Sequence, residues 1–134
     1  MKTGSKPPIF DRAQEIIDRL RQKPLRFVCG WKGNIEGYFP MHSHPVMELV
    51  YHPRGSGMTS LESGQKIAFQ AHGTVIYPAR IRHDQRMFAP GVDICIHAAQ
   101  DPSCNEEWFP EALYIGPGSG ESRYVDRFVR SEFF

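Results

Sequence analysis

Short runs of hydrophobic or alternating residues, separated by Gly, Pro and Asn, fill the middle of the chain. The runs cover residues 25–31, 37–39, 47–52, 58–61, 66–69, 74–77, 83–88 and 92–97. Turn-forming sequences at 53–57, 62–64 and 89–91 lie between them. Many short strands at close, regular spacing are typical of an antiparallel sandwich or barrel. The pattern therefore predicts one all-β barrel over residues 25–115.

The first part of the chain, residues 1–24, has the spacing of an amphipathic helix instead. Its apolar face consists of Ala13, Ile16, Ile17 and Leu20. Asp11 is suited to cap the helix, with Gln14 at the third helical position, and Pro24 ends it. We therefore expect an N-terminal helical extension that packs on the outside of the barrel.

The last part of the chain, residues 116–134, predicts a loop followed by a second helix. Ser122 is a candidate cap, and the apolar stripe consists of Val125, Phe128, Val129 and Phe133. Residues 101–120 hold aromatic residues among Pro and Gly, which indicates a loop covering a sheet edge. Because no Gly or Pro ends the helix before Phe134, we expect that the chain was cut from a longer one.

Composition and charge exclude several classes of function. The 134 residues suffice for one domain, and 16 Lys and Arg against 15 Asp and Glu do not predict nucleic-acid binding by this chain alone. No apolar run approaches the roughly 18 residues of a membrane span, and no signal peptide is evident, so we expect a cytoplasmic protein. Cys29, Cys95 and Cys104 are odd in number and widely spaced, which predicts reduced thiols.

The candidate chemistry is concentrated in residues 42–48, which contain His42, His44 and Glu48. Residues two apart in a strand point to one face, about 6–7 Å apart at Cα, a workable spacing for two imidazoles on one metal. Glu48 would lie some 13 Å beyond His44 on a straight strand, so it joins the site only if the chain bends near Pro45. Two His and a carboxylate suit Fe, Mn, Zn, Ni or Cu and leave positions for water or substrate.

A second segment, residues 73–83, predicts a buried strand, a turn and then His83 as a fourth metal ligand. If no metal binds, the same four residues would form a polar pocket that hydrogen-bonds a ligand. The candidates for contact with a small molecule are Arg80, Arg82, Tyr51, Tyr77 and His52. For these the alternatives are a solvated rim for the arginines and core packing for the others. We expect His97 to be a core or rim histidine, Cys95 to be a buried, inert thiol, and no catalytic residue is identified.

These two segments resemble the two motifs of the cupin superfamily. The first motif is matched by Gly37, His42, His44, Glu48 and Gly55, and the second by Gly73, Pro78 and His83. In the second motif, Arg80 stands where the family has Gly, and Met87 where it has Asn. The resemblance covers roughly residues 25–98. It implies a double-stranded β-helix barrel in which His42, His44, Glu48 and His83 face inward as ligands of a divalent metal ion.

Within the cupins, the sequence most resembles the N-terminal sensor domain of AraC-type transcription regulators. The resemblance rests on residues 42–51, 55–57 and 73–83, and on a final helix placed like the linker of such regulators. It implies a homodimer that binds a small polar effector, such as a sugar or an organic acid, and that contacts DNA only through a further C-terminal domain. The alternative is a stand-alone metal-dependent cupin enzyme, such as a dioxygenase, isomerase or decarboxylase.

Overall fold

The computed structural model describes residues 26–99, 111–120, 122, 123 and 127. It contains nine strands, which are β1 Arg26–Ile35, β2 Tyr38–His42, β3 Met47–Arg54, β4 Gly57–Ser60, β5 Lys66–Phe69, β6 Thr74–Tyr77, β7 His83–Met87, β8 Gly91–Ala99 and β9 Leu113–Ile115. The predicted N-terminal helix and nearly all of the predicted C-terminal helix lie outside the described residues. No helix among the described residues is long and apolar enough to cross a membrane.

The strands form two antiparallel sheets, and the chain passes repeatedly from one to the other. The five-stranded sheet has the order β1-β8-β3-β6-β9, and the four-stranded sheet has the order β2-β7-β4-β5. All strand pairs are antiparallel. The predicted all-β barrel is confirmed, and eight of the strands coincide closely with the eight runs in the sequence.

The core lies between the two sheets, where alternate residues of each strand point inward. The largest buried cluster consists of Val50, Leu61, Phe69, Val75, Tyr77, Met87, Cys95 and Ala112. Tyr51 and Ile94, which have the other parity on β3 and β8, form a separate cluster. A strand therefore sorts its side chains by parity, because successive Cβ atoms point to opposite faces of the sheet.

Glycine is required at Gly55, where β3 turns into β4. Its φ is +97°, and a Cβ atom there would lie 2.9 Å from the Cα of Gly91. Side-chain-bearing residues rarely adopt that conformation, and the neighbouring backbone leaves no room for a methyl group. The first glycine after Glu48 in the predicted motif thus closes the turn at the far end of β3.

Two local predictions were wrong. Part of the predicted 101–120 loop is strand β9, which pairs with β6 at the edge of the five-stranded sheet. A strand of only three residues shows too little alternation to be distinguished from a loop. The helix cap is Ser119 instead of Ser122, because the amide of Ser122 donates to Ser119 Oγ at 3.2 Å. Ser119 lies between Gly118 and Gly120, and this glycine-rich sequence indicated a loop instead of the start of a helix.

Candidate metal centre

Three strands and one connection bring the predicted ligands together at one end of the barrel. His42 ends β2 and is the cross-strand partner of His83, the first residue of β7. Glu48 lies on β3 of the opposite sheet, and residues 43–46 carry the chain from β2 across to it. The bend that Glu48 needed is therefore a crossing between the two sheets, and it follows the site of a register shift in β2.

The four side chains converge closely enough to share one ion. One potential ligand atom from each of His42, His44, Glu48 and His83 lies within 4.8 Å of the other three. Glu48 Oε1 lies 3.2 Å from His83 Nε2, and Glu48 Oε2 lies 3.4 Å from His44 Nε2. Glu48 and His83 are buried, whereas His42 and His44 are partly exposed. The cluster is thus buried on one side and accessible on the other.

Backbone carbonyl groups fix the orientation of two imidazoles. His42 Nδ1 donates to the carbonyl oxygen of Pro40 at 2.8 Å, and His83 Nδ1 donates to that of Ile81 at 3.0 Å. A carbonyl oxygen only accepts, so Nδ1 carries the hydrogen and Nε2 of the neutral ring presents a lone pair. Histidines that bind metals are commonly oriented by such a bond from the other ring nitrogen.

The cluster needs a positive charge between its members. Because Nδ1 of His83 already carries a hydrogen, Nε2 and Glu48 Oε1, which lie 3.2 Å apart, are held together only by a proton on Nε2 or by a metal ion bound to both atoms. His44 Nε2 is buried and has no hydrogen-bond partner among the described residues. An unpaired buried nitrogen is costly, because folding removes it from water without replacing the bond. A divalent ion bound to these atoms would satisfy both, so the residues present fit a metal.

Electrostatics favour the forms of these side chains that bind metals. Burial would raise the pKa of Glu48, but hydrogen bonding with His83 and His97 and the charge of His44 outweigh it and lower the pKa. Burial lowers the pKa of His44, although Glu48 opposes that shift. A carboxylate and a neutral imidazole are the ligand forms that a metal requires.

A further histidine, His97, belongs to the centre although we expected it at the core or rim. It is the cross-strand partner of Glu48 on β8, and its Nε2 donates to Glu48 Oε2 at 2.8 Å. Its ring packs edge-on against Trp31 at 4.9 Å between centroids. Because His97 lies two residues from Cys95, the alternation along β8 indicated that it faces inward. Glu48 is 49 residues away in the sequence, so local spacing could not show that the two residues pair.

Tyr77 holds the ring of His83 in place. The two rings are stacked, with centroids 3.7 Å apart and planes 13° from parallel. The hydroxyl of Tyr77 donates to Thr59 Oγ1 at 2.8 Å, and Thr59 Oγ1 donates to the carbonyl oxygen of Asp84 at 2.6 Å. Burial raises the pKa of Tyr77, which keeps this phenol a hydrogen-bond donor. The chain of bonds joins the two sheets beside the ligand.

The Arg80 turn supports the centre from the other side. Arg80 has a φ of +67°, the left-handed conformation that glycine adopts most easily. Its amide donates to the carbonyl oxygen of His44 at 2.7 Å. Arg80 thus adopts the backbone conformation expected for the glycine of the motif, and His83 takes its place at the start of β7.

A cavity of about 360 Å³ opens from the cluster into the barrel. His42, His44, Glu48 and His83 line one part of it, and Gln85 and Asp93 line another. Its apolar walls are Trp31, Ile35, Phe39, Val50, Tyr77 and Cys95. The volume lies within the range of small-molecule sites, which combine apolar walls with a few polar groups.

The structure separates the other predicted contact residues. Tyr77 lines the cavity, whereas Tyr51 packs with Ile94 away from it, and its hydroxyl lies 3.1 Å from His72 Nδ1. His52 is fully buried beneath the cavity, where its Nδ1 lies 2.8 Å from Asp93 Oδ1. Arg80 is exposed, and so is Arg82, whose Nε lies 3.2 Å from Glu62 Oε2. Neither arginine lines the cavity, and their contact with a ligand stays a prediction.

Comparisons with known proteins give similarity at the level of structure. No protein-family model and no curated protein matches the sequence. The chain is similar to YhaK from Escherichia coli, with a TM-score of 0.57 and 10% identity over 72% of this chain. It is also similar to the pirin YhhW from Escherichia coli, solved in complex with nickel(II), with a TM-score of 0.51 and 19% identity over 68% of this chain. It spans 44% and 41% of those two proteins, less than half of their lengths.

A cupin-2 domain containing protein from Shewanella frigidimarina is similar at a TM-score of 0.48, with 16% identity over 68% of this chain and 99% of its own. Identities this low describe the fold and leave the activity open. The two facing antiparallel sheets carry the ligand cluster on inward-facing positions, as the sequence motifs implied. The chain therefore has the all-β barrel fold that the resemblance to the cupin motifs implied, with a His–Glu cluster that could hold a metal ion.

Proposed function

We propose that this chain binds a divalent metal ion through His42, His44, Glu48 and His83, and that the metal helps to orient a small polar molecule in the cavity. The observation that carries the proposal is the position of His44 Nε2, a buried nitrogen within a convergent ligand set that has no hydrogen-bond partner in the part of the chain that the structure describes. Bound there, a divalent metal would supply Lewis acidity toward an oxygen of the small molecule. Three imidazoles and one carboxylate suit Fe, Mn, Ni, Cu or Zn.

The first role that we propose for this site is effector sensing in an AraC-like transcription regulator. The support is the sequence resemblance around residues 42–51 and 73–83. In this role, the effector is a small polar molecule such as a sugar or an organic acid, the protein is a homodimer, and DNA is contacted by a separate C-terminal domain. Effector binding would then bias the geometry of the dimer through the predicted helix after Ser122.

A metal-dependent enzyme is the second candidate, and the position of His97 favours it. His97 donates to the carboxylate oxygen of Glu48 and is partly exposed beside His44, with ring centroids 4.4 Å apart. A histidine beside a metal ligand is placed to hold or move a proton during a reaction. In a sensor the same histidine would serve only to orient Glu48.

The metal proposal is tested by metal content and affinity. Metal-free protein is titrated with Fe(II), Mn(II), Ni(II), Cu(II) and Zn(II), and plasma mass spectrometry then measures bound metal. We expect about one ion per chain in the wild type and its loss in His44→Ala, because that change removes the unpaired nitrogen. His72→Asn is the matched control, since it removes an exposed imidazole outside the cluster from a left-handed position that Asn tolerates.

Either of two results would contradict the proposal. One is a wild type that binds none of the five metals, which would make the four residues a hydrogen-bonding pocket. The other is an equal metal content in His44→Ala and the wild type, which would place the ion elsewhere. Sensor and enzyme are then separated by following a bound small molecule with NMR. An effector is recovered unchanged, whereas a substrate is converted by the metal-loaded protein and left intact by His97→Phe.

A further inference from the structure

The cavity has a second polar end, away from the metal centre. Asp93 and Gln85 line this end of the cavity. Asp93 faces inward on β8 like His97, and Gln85 faces inward on β7 like His83. Four residues of a strand span roughly 13 Å, so Asp93 lies about that far from His97 along β8. Val50 and Cys95, which are cross-strand partners, form the apolar wall between the two ends.

The Asp93 carboxylate is held in place by two donors. His52 Nδ1 donates to Oδ1 at 2.8 Å, and Gln85 Nε2 donates to Oδ2 at 2.8 Å. His52 Nε2 has no hydrogen-bond partner among the described residues, and its ring is stacked on Phe69 at 3.8 Å. His52 and Gln85 thus fix the orientation of the carboxylate, with one donor on each oxygen.

The inner end of the cavity therefore carries an acidic group with room for another partner. A carboxylate has about four lone-pair directions, and the two donors occupy one on each oxygen. No lysine or arginine is among the described residues that line the cavity. A buried carboxylate that faces a cavity is stabilised most by a cationic donor, because such hydrogen bonds are charge-assisted.

We infer that the cavity binds a small molecule with a protonated amine at the end held by Asp93 and a metal-ligating oxygen at the other end. The metal-ligating half of this inference rests on the proposed function, whereas the amine half rests on Asp93 alone. An ω-amino carboxylate has this chemistry. Its alkyl chain would lie against Val50, Tyr77 and Cys95, all of which line the cavity.

The test compares matched pairs of ligands that differ only at one end. Metal-loaded protein is titrated by calorimetry with 4-aminobutyrate, 5-aminopentanoate and 6-aminohexanoate, and with the hydroxy acid of each length. For at least one length, we expect the amine to bind roughly tenfold more tightly than the alcohol, since its hydrogen bond to Asp93 is charge-assisted. Equal affinity of the amine and the alcohol at every length would overturn the inference.

Two variants locate the amine. Asp93→Asn removes the charge while keeping the shape, and it should abolish the tenfold preference. Glu62→Gln removes an exposed carboxylate outside the cavity and should retain the preference. A preference that survives in Asp93→Asn would overturn the inference, because the amine would then be recognised elsewhere. Circular dichroism checks that each variant is folded.

A measurement on the wild type keeps the inference testable if Asp93→Asn does not fold. Metal-free protein is titrated with n-butylamine and n-butanol while amide resonances are followed by NMR. We expect the amine to shift the amides around Asp93 and Gln85 more than the alcohol does, and shifts confined to residues 42–48 would overturn the inference. Because this titration needs no metal, a protein that binds butylamine at Asp93 but binds no metal refutes only the proposed function. A protein that binds metal without preferring amines refutes only this inference.

Discussion

Each end of the cavity contains a histidine beside a carboxylate, but the hydrogen bonding of these groups differs between the two ends. At the inner end, His52 and Gln85 both donate to Asp93, so each carboxylate oxygen has its partner. At the metal centre, several imidazoles face the single carboxylate of Glu48, and His44 Nε2 has no hydrogen-bond partner among the described residues. The inner carboxylate thus has one donor on each oxygen and room for one more partner, whereas the outer end needs a cation that several groups bind at once.

This contrast shows that residue type alone does not identify a metal site. A histidine beside a carboxylate occurs at both ends, and each end has a buried histidine Nε2 without a hydrogen-bond partner among the described residues, in His52 and in His44. Only His44 Nε2 lies among several other potential ligand atoms. The convergence of several potential ligand atoms on one point separates the two ends, because a metal ion needs more than one ligand. In the absence of a small molecule, the inner end should therefore contribute mainly to stability and the outer end mainly to metal binding.

The largest expected effect that separates the two ends is on metal affinity in Glu48→Gln. We expect a decrease of more than about 100-fold, because the amide lacks the charge, and even second-shell changes cost 10–100-fold. The free energy of unfolding of the metal-free protein should change by less than about 1 kcal/mol, since the amide can donate to His83 and still accept from His97. Competition with a chromophoric chelator and urea unfolding measure the two quantities. A large loss of metal-free stability would remove the contrast.

The converse change at the inner end is His52→Leu. It deprives the buried Asp93 carboxylate of one donor, so we expect the free energy of unfolding to fall by about 1–3 kcal/mol. Metal affinity should remain within about twofold, because His52 contacts no member of the metal cluster. Urea unfolding and chelator competition on the same samples provide the comparison. A variant that keeps its stability but loses metal would reverse the roles assigned to the two ends.

His97→Phe tests whether the hydrogen bond to Glu48 contributes to the outer end. Phenylalanine keeps the edge contact with Trp31 but cannot donate to Glu48 Oε2. We expect metal affinity to fall about tenfold, the lower range for loss of a second-shell partner. Chelator competition measures the change, with His72→Asn as the control. An unchanged affinity would mean that His97 only fills space beside the centre.

The smallest effect should be seen in Arg80→Gly, at the turn beside the centre. The left-handed backbone of Arg80 costs about 1–2 kcal/mol, a strain that glycine would relieve. Glycine also loses more conformational entropy on folding, which offsets part of this relief. The free energy of unfolding should therefore rise by about 0.5–1 kcal/mol. Thermal unfolding measures this change. Metal affinity should stay constant, because the backbone amide of residue 80 still donates its hydrogen bond to the carbonyl oxygen of His44. A less stable glycine variant would show that the Arg80 side chain makes a stabilising contact.

Much of this molecule was predictable from local patterns. Eight strands followed from alternation and turn residues. The spacing of His42 and His44 indicated a metal site, and the resemblance to the cupin motifs implied that Glu48 and His83 belong to it. The short strand β9 was missed, because three residues carry too little periodicity. His97 was expected only as a core or rim histidine, and Asp93 was not singled out, since their partners Glu48 and His52 are distant in the sequence.

The sequence by itself determined the type of fold and the residues that can ligate a metal, because both depend on short-range spacing and on side-chain chemistry. Only the tertiary structure decided which polar groups are satisfied. Pairing of β3 with β8 places His97 on Glu48, and the approach of the two sheets brings Gln85 to Asp93. Such contacts depend on strand register across the whole barrel, and a register is fixed by the combined packing of both sheets.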